Sequence, residues 1–199
     1  QLLRARRGAA LPGARSGLRH APLEQTKHVG PRLLEAVYRR GMYYEIFGQF
    51  KKSLGQLDKW LDAATAFAQT RSFDPNVFVG LRLTPDQFAF SRQVQATCDT
   101  AKLAASRLTG KEAPAHPDTE TTLVELQARI RSVVAYLDGL TAKDFEASAS
   151  RVVSQPRWEG KVMSGADYFV EHALPNFFFH VATAYDLLRL HGMPLGKRD

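Results

Sequence analysis

The chain has 199 residues, 44% hydrophobic and 24% charged, a balance that excludes disordered and fibrous classes and suits one folded domain, with or without a tail. No apolar run approaches the roughly 20 residues needed to cross a bilayer; the stretch 174–179 is interrupted by Pro175 and Asn176. The net charge of +7 invites a nucleic-acid reading, but its distribution argues against one.

Residues 1–41 hold nine basic side chains (Arg4, Arg6, Arg7, Arg15, Arg19, Lys27, Arg32, Arg39, Arg40) against Glu24 and Glu35, so the entire excess lies there. The remaining 18 basic and 18 acidic residues cancel, and the core is expected to bind no nucleic acid. This first block is rich in Arg, Gly, Ala and Pro and shows little hydrophobic period. It reads as a disordered or non-native extension ahead of a natural start near Met42, with mitochondrial targeting as the alternative. Residues 42–199 form the expected domain. A lone cysteine, Cys98, excludes an internal disulfide and suits a reducing compartment, so a cytoplasmic location is expected.

Helix one is predicted from Tyr43 to Gln69, where Ile46, Phe50, Leu54, Leu57, Leu61, Ala64 and Ala68 recur at intervals of three or four. Asp74-Pro75 and Gly80 mark a connection. Thr84, Pro85 and Asp86 then read as a cap, a first helical position and a favourable charge, predicting helix two from there to Leu108 with Gly110 as its stop. Val94, Cys98, Ala101, Ala105 and Leu108 share its apolar stripe, which makes Cys98 a small core residue rather than a nucleophile. Pro114 and Pro117 lie in a loop. Thr119 or Thr121 is expected to cap helix three, whose stripe is Leu123, Leu126, Ile130, Val133 and Leu137, and Gly139 ends it.

The next segment is the least regular. Thr141 can cap a short helix, and 151–154 can pair with 158–163 as a small hairpin across Gln155-Pro156-Arg157. Helix four is predicted from Ser164, which has capping-box spacing to Asp167, as far as His191, with Gly192 and Pro194 ending it. Pro175 inside it predicts a kink or break near Val170 to Leu174. Four long amphipathic segments joined by connections long enough for crossovers imply an all-α four-helix bundle.

The last helix carries the strongest candidate for a polar site. Asn176 and His180 lie four residues apart and project from adjacent turns of one face. An imidazole there can bind a metal, move a proton or donate to a buried acceptor, although a histidine beside Phe177, Phe178 and Phe179 also suits ordinary packing. Those three phenylalanines read as core of a helix packed on several sides. On helix two, Gln93, Gln95 and Asp99 are candidates for the same cavity, Gln95 and Asp99 sharing a face; a solvated face is the competing reading. Asp167, Glu171, His172 and Asp186 are assigned to the outside of helix four. Phosphate loops, dinucleotide fingerprints, nucleophile elbows and the paired Glu-x-x-His of di-iron bundles are absent from the sequence.

The segments Thr84-Pro85-Asp86-Gln87-Phe88, Arg92-Gln93-Val94-Gln95, Asp118-Thr119-Glu120-Thr121-Thr122, Leu174-Pro175-Asn176-Phe177-Phe178-Phe179-His180 and Pro194-Leu195-Gly196-Lys197-Arg198-Asp199 resemble DUF1993, a bacterial and fungal family of unknown function similar to the DinB-like superfamily. The resemblance implies an up-down-down-up bundle. In many superfamily members it implies a divalent metal on three histidines, one on helix two and two on the last helix, and in some a thiol-dependent transferase activity. His180 matches the second histidine of the last-helix pair. The first falls on Asn176, and helix two has no histidine. One imidazole with amides is a poor donor set for zinc or nickel. The expected protein is therefore a non-catalytic or small-ligand-binding member with a degenerate metal site, possible as a homodimer. The alternative is a thiol S-transferase-like enzyme using His180, with zinc or nickel there or without metal.

Overall fold

The computed structural model describes residues 41–198. The reading of the basic block as an extension falls outside these residues, apart from Gly41.

Four helices carry the fold. α1 spans Met42–Thr70, α2 Phe90–Thr109 and α3 Leu123–Asp138. α4 is continuous but composite: one α-helical turn, Gly165–Asp167, a π-helical stretch, Tyr168–Ala173, and an α-helical body, Leu174–Leu190. A 3-10 segment, Pro75–Gly80, lies between α1 and α2. Two short strands, β1 (Val152–Ser154) and β2 (Val162–Ser164), pair antiparallel before α4, with Val153 opposite Met163.

Side-chain contacts fix the direction of each helix. Lys51 meets Asp138 and Asp62 meets Gln127, so α1 and α3 are antiparallel. Gln93 meets His180 and Arg107 meets Tyr168, so α2 and α4 are antiparallel. Phe50 stacks on Phe177 and Trp60 lies against Tyr185, which makes α1 and α4 parallel. The arrangement is up-down-down-up, and α2 and α3 run parallel because the 13-residue passage 110–122 returns the chain to the same end of the bundle.

The core contains most of the predicted stripes, with Ile46 only partly buried, and adds aromatic residues outside them, among them Phe47, Phe78, Phe90 and Phe169. Phe50, Leu54, Leu57, Leu61, Ala64 and Ala68 of α1 are buried with Val94, Cys98, Ala101, Ala105 and Leu108 of α2 and all five stripe residues of α3. Burial pushes the Cys98 thiol up to about 12, so it stays protonated and unreactive at neutral pH.

Several boundaries differ from expectation, each for a local reason. The Thr84 hydroxyl is turned to Asp86 Oδ1 at 2.8 Å, and the Gln87 N–H closes a turn onto the Thr84 carbonyl. Those residues therefore form a turn, and α2 starts later, at Phe90. Thr122, not Thr119 or Thr121, caps α3 through a capping box with Glu125. β2 begins at Val162 because Pro156–Trp158 winds into a 3-10 turn that takes Trp158, and Glu159 and Gly160, both at positive φ, continue the turn where strand was predicted. Phe177 is buried, but Phe178 and Phe179 are 43% and 55% exposed. Successive helical positions point about 100° apart, so Phe177 stacks on Phe50 of α1 from inside the core, Phe178 reaches the same ring only edge-on from the rim, and Phe179 turns outward.

The expected disturbance at Pro175 takes the form of the π-helical stretch just before it, which absorbs one extra residue without ending the helix. At the start of α4, Gly165 is pressed onto the short 3-10 segment Ser148–Ser150 that precedes the hairpin: a Cβ there would lie 1.9 Å from the Ser148 carbonyl oxygen. Gly48 in α1 has nothing within 4 Å of that position. Gly165→Ala is therefore expected to cost about 1–3 kcal/mol of stability, whereas Gly48→Ala should add about 0.5–1 kcal/mol. Urea denaturation of the two variants checks this, and equal effects would contradict the packing described.

Candidate functional site

The seam between α2 and α4 is polar along its length. Four-residue steps along an α-helix advance by about 40° of rotation each, and the wider π turn reverses that drift. Tyr168, His172, Asn176 and His180 therefore share one face of α4. Gln93, Thr100 and Arg107, each seven residues apart, oppose them from α2. Three hydrogen bonds cross the seam. Arg107 donates to the Tyr168 hydroxyl at 2.9 Å, Asn176 Nδ2 donates to Thr100 Oγ1 at 2.7 Å, and His180 Nδ1 pairs with Gln93 Oε1 at 2.7 Å.

These residues border a cleft of about 390 Å³, with Phe88, Ala96 and Leu103 as apolar walls and the hairpin residues Gln155, Pro156 and Arg157 at one end. Gln93 Nε2 donates to the Phe88 carbonyl, which leaves Oε1 to accept from imidazole Nδ1–H. Neutral His180 therefore presents an unprotonated Nε2. Burial, with the Arg92 charge second, lowers its pKa below the ordinary histidine value. At the other end Arg157 donates to His172 Nε2 at 2.6 Å, and His172 is likewise held neutral, first by burial and then by Arg157 and Arg107.

The candidate residues are thus only partly brought together. His180, Asn176 and Asp99 line one cleft, and Gln93 stands behind His180. Gln95 does not line it; its amide turns to Glu120 at 2.9 Å, within the cluster around Arg129. That buried arginine meets Asp99 at 2.6 Å, Glu120 at 2.9 Å and Asp118 at 3.0 Å, and almost fully buried Lys102 adds a second cation 3.1 Å from Asp99. Asp99 is therefore held in an ion-pair cluster. His172, assigned from sequence to the outer face, borders the cleft instead. Arg107, Tyr168, Gln155 and Arg157 were not among the sequence candidates. The four-residue spacing from Tyr168 to His180 and the seven-residue spacing from Gln93 to Arg107 were visible signals, but the hairpin pair had none.

A sequence model described as "Domain of unknown function (DUF1993)" matches residues 42–199. The chain belongs to this family. It is also similar to a solved structure of a DinB family member from Shewanella denitrificans, with 47% identity and a TM-score of 0.78 over 81% of this chain and 93% of that one. No curated protein matches. The DUF1993 domain here is accordingly a DinB-like all-α bundle, and no helix among the described residues is long and apolar enough to cross a membrane.

The donor set of this DUF1993 chain does not fit the three-histidine metal that the resemblance implies for many superfamily members. Of the relevant positions only His180 is an imidazole, Asn176 is an amide tied to Thr100, and the cation of Arg92 acts on His180. Among the described residues no three His, Cys, Asp or Glu side chains are grouped to hold a metal ion.

The depressed histidines make stability depend on pH. His116, His172 and His180 all lie below 6.5 in the folded chain, chiefly through burial, so the unfolded chain binds more protons just below that value. Their contribution is present above about pH 6.5 and is lost as pH falls through the folded values. The melting temperature is therefore expected to fall on acidification from about pH 7 to about pH 5, less steeply in His180→Gln. An unchanged slope in that variant would contradict the assignment.

Proposed function

We propose that this protein is a small-ligand-binding, non-catalytic DinB-like bundle whose site is the α2/α4 cleft, with the superfamily's metal position converted into a metal-free hydrogen-bonded pair. The observation that carries the reading is the engagement of both relevant α4 side chains by α2: His180 with Gln93 and Asn176 with Thr100, each at 2.7 Å. What remains is a cleft of about 390 Å³, in the range that takes small molecules, with apolar walls and a few convergent polar groups. A small-fragment library screened by ligand-observed NMR tests this. Some fragments should bind the wild-type protein and lose binding in Ala96→Trp, which fills the cleft, while circular dichroism stays unchanged. If no fragment's binding depends on the cleft, the reading fails.

A second reading is favoured by one detail. Neutral His180, with Nδ1–H held by Gln93, presents Nε2 as a base. A metal-free thiol S-transferase would use that nitrogen to accept the thiol proton. A zinc or nickel ion at His180 is the metal-dependent form of the same alternative. Thiol-dependent turnover abolished in His180→Gln would favour the enzyme.

The proposal includes a homodimer formed through α4. Its support is the exposure of Phe178 and Phe179, with Leu190 62% exposed near the end of the same helix. Sedimentation equilibrium should show a dimer that Phe179→Asp converts to monomer; a monomeric wild-type protein would remove this part of the proposal.

A further inference from the structure

We propose that the hairpin end of the cleft, bounded by Arg107, Arg157 and Gln155, is a subsite for an oxyanion, a carboxylate or phosphate group of the bound small molecule. The inference rests on the reading of the cleft as a ligand site and adds the chemistry of its ligand.

The groups converging at this end are donors. A guanidinium has five N–H donors and no acceptor. Arg107 spends one on the Tyr168 hydroxyl and Arg157 one on His172 Nε2. Both partners are neutral, so neither arginine's charge is compensated, and among the described residues neither has a carboxylate within ion-pair distance. Glu159 and Glu171, near Arg157 and His172 in sequence, are exposed and make no such pair. The acid on the cleft wall cannot serve them, because Asp99 is already shared by Arg129 and Lys102. Arg92, toward the other end, is paired with Asp118.

A second observation points the same way independently. Gln155 lines the cleft and is only 8% exposed, yet its amide Nε2 has no hydrogen-bond partner among the described residues. A buried donor without an acceptor is disfavoured. An acceptor-rich group at this end gives both guanidiniums an acceptor and, once the Gln155 amide turns toward the cleft it lines, gives that unpartnered donor one as well. Planar, forked guanidinium donors match carboxylate and phosphate oxygens, and the charge-assisted bonds they form are stronger than neutral ones. The apolar walls at Phe88 and Leu103 leave room for the rest of the molecule to run toward His180.

Isothermal titration of the full chain with inorganic phosphate and, separately, malonate, at ionic strength held constant with chloride, tests the subsite. We expect saturable binding of at least one anion, weakened about tenfold or more in Arg107→Gln and in Arg157→Gln, and weakened to a smaller extent in Gln155→Leu. Lys197→Gln, which alters a surface cation away from the cleft, should bind as wild type. Arg157 is exposed, so its replacement leaves the fold intact even if the Arg107 variant is destabilised. Preference for phosphate or for malonate identifies which oxyanion the subsite takes. Equal binding by wild type and Arg157→Gln would overturn the proposal as an adventitious surface effect. Wild-type protein that binds neutral fragments in the cleft but neither anion would overturn it while the ligand-site reading stands. Failure to bind fragments or anions would remove both.

Discussion

The α2/α4 seam depends on a row of polar contacts set beside the apolar core. Gln93 with His180, Thr100 with Asn176, and Arg107 with Tyr168 set the antiparallel register of the two helices. Those same bonds set the polar lining of the cleft between the helices. A buried or half-buried polar group left unmatched is costly, so a one-turn slip of α4 is disfavoured at three places together. The π-helical stretch is part of this constraint. Without its wider turn, Tyr168 and His172 would rotate away from the face that Asn176 and His180 occupy.

Behind the seam lies a second polar assembly with a different role. Arg129 gathers Asp99, Asp118 and Glu120, and Lys102 reaches both Asp99 and the Pro114 carbonyl. Together these contacts tie the crossover passage onto α2 and α3. Removing one partner would strand a buried charge, which makes the cluster a stringent lock on the topology even where its net contribution to stability is small. It also determines the electrostatics of the cleft. Because Asp99 is committed to Arg129 and Lys102, it does not pair with the arginines at the hairpin end.

Much of the architecture is legible in the sequence for simple reasons. Apolar residues at three- and four-residue intervals mark α1 to α3, and the Ser164 cap and Gly192 bracket α4. Helix starts were harder where a hydroxyl had a choice of partner. Thr84 prefers a local carboxylate to a helix N–H, and three threonines near α3 offered three possible caps. Asn176 and His180 stood out because they are polar in an apolar stretch. His172 did not, because its position on the cleft depends on the π turn, and a proline announces a disturbance without specifying its form. Gln155 and Arg157 reach the cleft through tertiary placement of a hairpin, and nothing in their spacing carries that information.

Central to the proposed function is the inference that hydrogen bonding to α2 stands where many superfamily members hold a metal on α4. Elemental analysis of protein purified without an affinity tag tests it most directly. The account predicts zinc and nickel well below one per chain, with no difference between wild type and His180→Ala. Stoichiometric zinc or nickel that disappears in His180→Ala would contradict it.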